Sequence, residues 1–455
     1  MPVPSLKKRT IQELFNHSVS QFADEMAFSF VDEGGYTYRE VGRQVAALSK
    51  ALRAYGLSKG DRVAILTENG PPWSLSYLAV ASMGAVTVPI LPDFHKNEVH
   101  HILRNSGAKV LFVSSKLVHK VADITLKELV LVVATDNQDL QLKQYKVEKF
   151  VDMVEGTHVQ KKIKEIREVQ FPVEESDLTE ILYTSGTTGH SKGVMLTNNN
   201  IVANAMSAAE MINITSTDRL VSILPQSHAY ECTCGFITPF MLGAKVYYIK
   251  GLPTAQTLLP AVQKVKPTII LSVPLIMDKI YKKKVLAEIN SKAFSRMMYK
   301  VSPRLVYKIA GKKLYQAFGG ELRFMVFGGA ATPPEVELFL TEGGFPYTTG
   351  YGLTECSPLL TVNPIGKVKQ QSAGKVVPNV KVRIAEVDPD TGIGEIFAQG
   401  PNIMQGYYKN EEITRKTFTE DGWLITGDRG YFDEDGYLFI KGRSKNLIVG
   451  PSGEN

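Results

Sequence analysis

The chain has 455 residues, of which 44% are hydrophobic and 22% are charged. A chain of this length and composition buries a large core, so intrinsic disorder and a small disulfide-stapled scaffold are excluded, and about two to four lobes are expected. Lysine and arginine total 52 against 46 acidic residues, and the net charge of +6 permits anionic partners without identifying one.

The first predicted element is an amphipathic helix within the segment TIQELFNHSVSQF. Its inward-facing residues are predicted to be Ile11, Leu14, Phe15 and Phe22. Because no apolar segment follows the N-terminal charges, we expect no signal peptide. The longest apolar runs are too short for a bilayer, so we expect no membrane span.

Three cysteines are present, and their spacing matches neither a disulfide framework nor a zinc site. They are Cys232, Cys234 and Cys356. This usage fits a reducing compartment, so we expect a cytoplasmic protein without a structural metal.

From about residue 35 to 170, helical patterns alternate with short apolar runs such as DRVAILTE and KVLFVSS. A second such series contains RLVSILP, AKVYYIK, TIILSVP and RFMVFGG. This alternation predicts an α/β fold with two helix-covered, mostly parallel sheets. After about residue 370, short strands with Asp-Gly turns predict a small β-lobe.

The predicted boundaries divide the chain into four segments. The two α/β subdomains are expected at 1–170 and 171–369, the second with a phosphate loop, the β-lobe at 370–443, and a hinge at 444–455. The chain ends in the loop-like string GPSGEN, which raises the expectation that a further domain is absent.

The segment ILYTSGTTGHSKGVML, residues 181 to 196, carries the clearest chemical signal. Two predicted strands, 178–183 and 194–196, enclose a run of small polar residues. Glycines let backbone N–H groups approach phosphate oxygens, hydroxyls donate further hydrogen bonds, and Lys192 adds a compact positive charge. For a single cluster of this kind, a flexible surface turn is the alternative. The order Ser191, Lys192, Gly193 differs from the Gly-Lys-Ser/Thr of P-loop NTPases, which disfavours that fold.

The string YTSGTTGHSKGV resembles the phosphate loop of the adenylate-forming enzymes, which include acyl-CoA synthetases, luciferases and the adenylation domains of peptide synthetases. Three further strings are similar to motifs of that family and occur in its order: YGLTEC at 351–356, TGDRGYFDEDGYLFIKGR at 426–443 and RSKNLI at 443–448. The resemblance extends over essentially the whole chain. The segment beginning DGWLITGDRGYF is most similar to that of long-chain fatty acyl-CoA synthetases.

The resemblance implies binding roles for most of these motif residues. Those that would hold the β- and γ-phosphates of ATP are Thr184, Ser185, Gly186, Thr187, Thr188, Gly189 and Lys192. Those that would surround the adenine, the ribose and the acyl group are Gly328, Gly329, Ala330, Tyr351, Gly352, Asp428 and Arg443. Within this second set, Tyr351 would lie against the adenine face and Asp428 would accept hydrogen bonds from the ribose hydroxyls.

Catalytic roles are implied for Lys192, Thr354, Glu355 and His228. Thr354 would bond the α-phosphate, and Glu355 would hold Mg²⁺. A carboxylate that attacks the α-phosphorus brings negative charge towards negative charge, so a divalent cation would neutralise the developing oxygens. His228 resembles the histidine at the mouth of the acyl pocket, and a purely structural histidine is the alternative.

The implied activity is that of an acid:CoA ligase, which forms an acyl-adenylate with ATP and transfers the acyl group to CoA. The peptide-synthetase branch typically has a Phe-Asp pair that grips an amine, whereas this chain has Ala229 and Tyr230, so an amino-acid substrate is not expected. A long- or medium-chain fatty acid is the working hypothesis. The alternatives are an aryl acid, an acyl carrier protein as acceptor, or a nucleotide-binding relative without catalysis. No nucleic-acid partner is expected.

The resemblance also implies a C-terminal domain after the hinge, with a lysine that bridges the attacking carboxylate and the α-phosphate. Lys445 lies at the expected hinge position, and no later string resembles that lysine's motif. Losing such a charge typically costs about 10²- to 10³-fold in rate, so we expect weak adenylation by this chain alone.

Between residues 277 and 315, basic residues far outnumber the acidic Asp278 and Glu288. The basic residues are Lys279, Lys282, Lys283, Lys284, Lys292, Arg296, Lys300, Arg304, Lys308, Lys312 and Lys313. A solvated helix face is the ordinary interpretation. Because hydrophobic residues such as Val306 and Tyr307 interleave with these charges, the alternative is peripheral contact with an anionic membrane.

Overall fold

The computed structural model of the protein describes most of the chain. The described residues are 3–140, 142–156, 172–184, 191–251, 253–291, 298–299 and 301–443.

Strands occur along the whole described chain. In chain order they are β1 (Met26–Phe30), β2 (Gly35–Thr37), β3 (Arg62–Leu66), β4 (Val86–Pro89), β5 (Val110–Val113), β6 (Leu131–Ala134), β7 (Val147–Lys149), β8 (Leu178–Thr184), β9 (Lys192–Thr197), β10 (Arg219–Ser222), β11 (Lys245–Tyr248), β12 (Ile269–Ser272), β13 (Phe324–Phe327), β14 (Tyr347–Gly352), β15 (Leu359–Val362), β16 (Lys375–Val376), β17 (Lys381–Ala385), β18 (Gly394–Gln399), β19 (Gly406–Tyr407), β20 (Leu424–Phe432) and β21 (Leu438–Arg443).

Helices connect most of these strands. They are α1 (Ile11–Gln21), α2 (Tyr38–Ala54), α3 (Pro71–Ser82), α4 (Lys96–Ser106), α5 (Phe150–Glu155), α6 (Asn198–Ile212), α7 (Thr238–Met241), α8 (Ala255–Val265), α9 (Pro274–Ile280), α10 (Ala287–Ser291), α11 (Pro303–Ala317), α12 (Pro334–Glu342) and α13 (Glu411–Thr417). Short 3₁₀ turns lie at Val118–Lys120 and Thr354–Cys356, and π-helical turns at Glu231–Ile237 and Tyr281–Leu286.

The strands form two large sheets. The first has eight strands in the order β19-β9-β8-β4-β3-β5-β6-β7, and the second has nine in the order β16-β15-β14-β13-β12-β10-β11-β1-β2. Neighbouring strands from β8 to β7 in the first sheet, and from β14 to β1 in the second, run parallel. Strands such as β5 and β13 are buried along their whole length, as expected for parallel sheets with helices on both faces.

A third sheet contains four antiparallel strands in the order β17-β18-β20-β21. It corresponds to the predicted β-lobe. Together, the three sheets confirm the predicted α/β class with two mostly parallel sheets and a small β-lobe.

The predicted N-terminal helix is confirmed as α1, and its four predicted inward residues are buried. Helix α3 is buried on nearly all sides, with the Trp73 and Tyr77 rings stacked 5.3 Å apart. A helix that is apolar all round belongs in the core of a large protein. Among the described residues, none of the helices combines the length and hydropathy needed to cross a membrane.

Neither large sheet is formed from one continuous segment of the chain. Strands β1 and β2 join the second sheet through a parallel pairing of β1 with β11, although β3 to β7 lie in the first. Strand β19, from the segment predicted as β-lobe, pairs antiparallel with β9 of the first sheet. This crossing brings residues of the β-lobe segment next to the strands that flank the phosphate loop. The domain boundaries stay a prediction.

Candidate nucleotide-binding and active site

A cavity of about 590 Å³ lies where the second sheet meets the β-lobe. It is bounded by the residues after β13, the end of β14, the loop before β16, and the end of β21. Its lining residues are Gly329, Ala330, Ala331, Thr332, Glu337, Thr349, Gly350, Tyr351, Gly352, Gln371, Ser372, Ala373, Asp428, Ile440, Lys441, Gly442 and Arg443. The structure therefore brings together six of the predicted binding residues: Gly329, Ala330, Tyr351, Gly352, Asp428 and Arg443.

Asp428 lies at the centre of a hydrogen-bonded group in this cavity. The Tyr351 hydroxyl donates to Asp428 Oδ2 at 2.7 Å, and Arg443 Nε donates to Oδ1 at 2.9 Å. The strand register produces the second contact, since Asp428 and Arg443 are direct partners between β20 and β21. Each carboxylate oxygen keeps a further lone pair, so Asp428 can still accept hydrogen bonds from a ligand.

The same contacts set the titration of these groups. Burial, and then the charge of Asp428, raise the pKa of the Tyr351 hydroxyl well above its ordinary value. The hydrogen bond to Asp428 raises the pKa of the Arg443 guanidinium. Tyr351 is therefore a neutral donor and Arg443 a cation at any ordinary pH.

Glycines allow the backbone to line this cavity closely. Gly329 has a φ of +81°, a conformation that side chains with a Cβ rarely adopt. A Cβ at Gly352 would overlap the Pro358 carbonyl. Gly328 does not line the cavity. A Cβ there would lie 3.1 Å from the Tyr230 ring, so this glycine makes room for that tyrosine.

The phosphate loop leaves strand β8 and returns as β9. Thr184 and Lys192 are paired across the two strands, at the end of the hairpin from which the loop extends. Ser185, Gly186, Thr187, Thr188 and Gly189 lie outside the described residues. The Ser191 hydroxyl is buried without a hydrogen-bond partner among the described residues. A bound anion at this point can accept a hydrogen bond from this hydroxyl.

Glu355 lies beside this hairpin. The Tyr407 hydroxyl donates to Glu355 Oε1 at 2.8 Å, and Lys192 Nζ lies 5.4 Å from the centre of the Tyr407 ring. Burial and the charge of Glu355 raise the pKa of Tyr407, so the phenol stays a donor. Tyr407 thus joins Lys192 to Glu355, a role that the sequence analysis missed.

The second carboxylate oxygen of Glu355 has no hydrogen-bond partner among the described residues. One carboxylate oxygen, with phosphate oxygens of a ligand, is the donor set that Mg²⁺ favours. Glu355 therefore fits the predicted metal role, although the described residues contain no cluster of three or more metal-ligating side chains.

Thr354 and His228 differ in their surroundings. Thr354 begins the turn that carries Glu355, and its hydroxyl makes no hydrogen bond within the described part of the chain. His228 is exposed and does not line the cavity. Its Nδ1 accepts a hydrogen bond of 3.2 Å from the Tyr230 backbone N–H. Although part of the side chain reaches solvent, protein surrounds the ring on its other sides, and this desolvation lowers the pKa of the imidazole. The neutral ring therefore carries its proton on Nε2.

Glu337 and Gln371 line the cavity and were also missed in the sequence. Glu337 Oε2 accepts hydrogen bonds from the Gln371 backbone N–H at 2.8 Å and side-chain amide at 2.5 Å. Gln371 has a φ of +61°, so these two bonds hold a conformation that a free chain seldom adopts. The pair therefore fixes part of the cavity wall.

A second, much smaller cavity of about 10 Å³ lies behind β13 and is wholly apolar. Its lining residues are Ile212, Ile214, Tyr230, Cys234, Ile269, Leu271, Val326, Leu359 and Val362. Tyr230 borders this cavity, and its hydroxyl donates to the Val326 carbonyl at 3.0 Å. Since Tyr230 also lies against Gly328, it separates the apolar cavity from the glycines at the end of β13.

A family model described as AMP-binding enzyme matches residues 15–408, which is most of the chain. The chain belongs to the AMP-binding enzyme family. Enzymes of this family use ATP. The match confirms the family that the four sequence motifs predict.

Individual relatives agree with this assignment. A long-chain-fatty-acid–CoA ligase of Bacillus subtilis is 29% identical over 475 residues, covering 99% of this chain and 79% of its own. 4-Coumarate–CoA ligase 3 of Oryza sativa is 30% identical over 431 residues, covering 91% of this chain and 70% of its own. The crystal structure of ATP-bound MatB from Rhodopseudomonas palustris superposes with a TM-score of 0.74 at 24% identity, covering 97% of this chain and 80% of that one. This last likeness confirms the fold.

Proposed function

We propose that the protein activates a carboxylic acid, most simply a fatty acid, by transferring AMP to it from ATP and then passing the acyl group to CoA. The observation that carries the proposal is the convergence of Tyr351, Asp428 and Arg443 in one cavity. A buried carboxylate held by two donors is suited to the paired hydroxyls of a ribose. The long-chain-fatty-acid ligase among the relatives supports the choice of substrate class.

Each step of the proposed reaction forms one bond and breaks another. One carboxylate oxygen of the substrate attacks the α-phosphorus of ATP, the bond to the bridging oxygen breaks, and pyrophosphate leaves. In the second step the thiol of CoA loses its proton, the sulfur attacks the acyl carbon, and AMP leaves. The acid:CoA ligase activity expected from the sequence consists of these same two steps.

Several residues of the chain would act in the first step. Lys192 and the Ser191 hydroxyl would bind the leaving phosphates, and Thr354 would donate to the α-phosphate. Glu355, held by Tyr407, would bind Mg²⁺, whose charge offsets that of the phosphate oxygens. A donor aimed at developing charge contributes about 10²- to 10³-fold in rate when it is fixed beforehand.

The apolar side chains behind β13 are the proposed surroundings of the acyl group. At about 10 Å³ the cavity that they line holds no more than one water-sized group, so an acyl chain enters only if the lining side chains move apart. Tyr230 contacts Gly328 and lines this space, so we propose that Tyr230 moves when an acyl chain enters. His228 is proposed to lie on the acyl side of the site.

A second candidate substrate is an aryl acid, because 4-coumarate–CoA ligase 3 is 30% identical to this chain. CoA is the proposed thiol, and an acyl carrier protein is the alternative acceptor.

Exchange of labelled pyrophosphate into ATP, with a panel of straight-chain and aromatic acids, tests the proposal. We expect exchange that depends on an added acid and strengthens with chain length, because each buried methylene contributes about 0.8 kcal/mol. Exchange that gains nothing beyond about four carbons would assign a short or aryl acid instead. Release of ADP, or exchange without any acid, would contradict acid activation.

A further inference from the structure

Helix α11 exposes an apolar stripe to solvent. Val301, just before the helix, is 77% exposed, Leu305 is 45% exposed and Ile309 is 54% exposed. Leu305 and Ile309 are four residues apart, so they lie on one side of the helix, one turn apart, and Val301 precedes the N-cap residue Ser302. A single exposed leucine is ordinary, but a contiguous row of apolar side chains marks an interaction surface.

The opposite side of α11 packs against the protein, and this packing determines that the apolar stripe faces solvent. Tyr307 packs 5.4 Å from the Phe339 ring, and its hydroxyl is 2.9 Å from that of Tyr281. Gly311 lies so close to the Gly343 backbone that a Cβ would overlap it. Because these contacts lock the inner face, the helix cannot turn its apolar stripe towards the core.

A row of lysines runs beside the apolar stripe. Lys308 and Lys312 are one turn apart and lie three residues after Leu305 and Ile309 respectively, which makes the two rows neighbours. Both lysines are exposed, and neither has a carboxylate partner within the described part of the chain. We name the set Val301, Leu305, Lys308, Ile309 and Lys312 the α11 face.

The charges around the α11 face are also mostly basic. Three neighbouring cations are paired: Lys282 with Asp278, Lys313 with Glu288 and Arg304 with Glu342. The adjoining π-helical turn adds Lys283 and Lys284, both exposed. One further exposed acid, Glu335, acts on Lys282, but it is outnumbered by the exposed Lys283, Lys284, Lys308 and Lys312, so the net charge of this surface stays positive.

We propose that the α11 face binds an anionic lipid surface. A helix in the plane of a membrane inserts apolar side chains between headgroups while flanking lysines meet the lipid phosphates, and this face carries both groups side by side. A second copy of the chain fits less well, because a twofold contact would set the lysine rows of the two copies against each other. This proposal does not depend on the proposed reaction. It states where in the cell the protein would act, namely at an anionic membrane surface.

Flotation with lipid vesicles tests the proposal. The full chain is mixed with vesicles of phosphatidylcholine alone or of phosphatidylcholine with phosphatidylglycerol, at low and high salt. We expect binding to the anionic vesicles, weakened by salt, and little to the neutral ones. Lys308→Gln/Lys312→Gln should reduce the bound fraction at low salt about tenfold, and Leu305→Ser/Ile309→Ser should reduce it at both salt concentrations.

Matched changes elsewhere on the surface serve as controls. Lys116→Gln/Lys127→Gln removes the same charge from exposed positions in the first half of the chain, and should leave binding unchanged. Melting temperatures and ATP binding of all variants check that they fold. The proposal is overturned if binding is the same for neutral and anionic vesicles, or if neither α11 double variant reduces the bound fraction. A concentration-dependent dimer that the same variants dissociate, without vesicle binding, assigns the face to a second copy and also overturns it.

Discussion

The Tyr407 hydroxyl donates a hydrogen bond of 2.8 Å to the Glu355 carboxylate, across 52 residues of sequence. The contact exists because β19 pairs with β9, which places a residue of the β-lobe segment beside the phosphate-loop hairpin. Tyr407 thereby fixes one oxygen of Glu355 and leaves the other for a ligand.

Tyr407→Phe should weaken the use of Mg²⁺ while leaving the fold intact. A hydrogen bond to a charged group is worth about 1.5–3 kcal/mol, so we expect at least about tenfold more Mg²⁺ for half-maximal pyrophosphate exchange. A Mg²⁺ titration at saturating ATP measures this. Tyr408→Phe is the matched control, because within the described part of the chain the Tyr408 side chain makes no hydrogen bond to Glu355. An unchanged Mg²⁺ requirement in Tyr407→Phe would remove Tyr407 from the site.

Asp428→Asn should remove the preference for an intact ribose. The wild type is expected to bind ATP more tightly than 2′-deoxy-ATP and 3′-deoxy-ATP, by about tenfold for each lost hydrogen bond to the carboxylate. The variant should bind all three nucleotides with similar, weaker affinity, as measured by calorimetry. Glu434→Gln, an exposed acid on the same hairpin, is the control. A ribose preference that persists in Asp428→Asn would place the sugar elsewhere.

The stability of the protein should fall as pH rises from about 4.5 to about 8. Burial raises the pKa of Glu180 from 4.5 to about 8, and it raises the pKa of Glu231 to about 8 as well. The folded state therefore holds protons that the unfolded state has released. This stabilisation is complete below the unfolded pKa and is lost as pH rises through the folded one, by up to about 1.4 kcal/mol per pH unit for each group.

Urea unfolding at several pH values measures this slope. Glu180→Gln keeps the size of the side chain and removes its titration, so the slope above about pH 5 should become shallower. Glu180→Gln/Glu231→Gln should be shallower still. A double variant with the wild-type slope would show that other groups determine the pH dependence.

Much of the fold could be predicted from the sequence, because its signals are local. The buried runs that form β3, β5, β10 and β13 are continuous and apolar, as parallel strands require. The inward face of α1 followed from helical periodicity alone. The family motifs likewise depend on short contiguous strings, and they placed Tyr351 and Asp428, which meet in the cavity.

The rest depended on contacts between distant segments. Tyr407 stands in a two-residue strand whose pairing with β9 leaves no periodic signal. In the sequence, Glu337 resembles an acidic residue on the surface of a helix. Only the folded structure shows that it accepts a hydrogen bond from Gln371. A local pattern cannot report such pairings, because they form only after the sheets have packed.

The central claim is that Lys192 and Glu355 hold the phosphates and metal of Mg·ATP. Isothermal titration of the protein with ATP, with and without Mg²⁺, tests it most directly. We expect one site for Mg·ATP, an affinity at least about tenfold lower in Lys192→Glu, and a loss of the Mg²⁺ contribution in Glu355→Gln. No heat with Mg·ATP, or an affinity that Lys192→Glu leaves unchanged, would contradict the account.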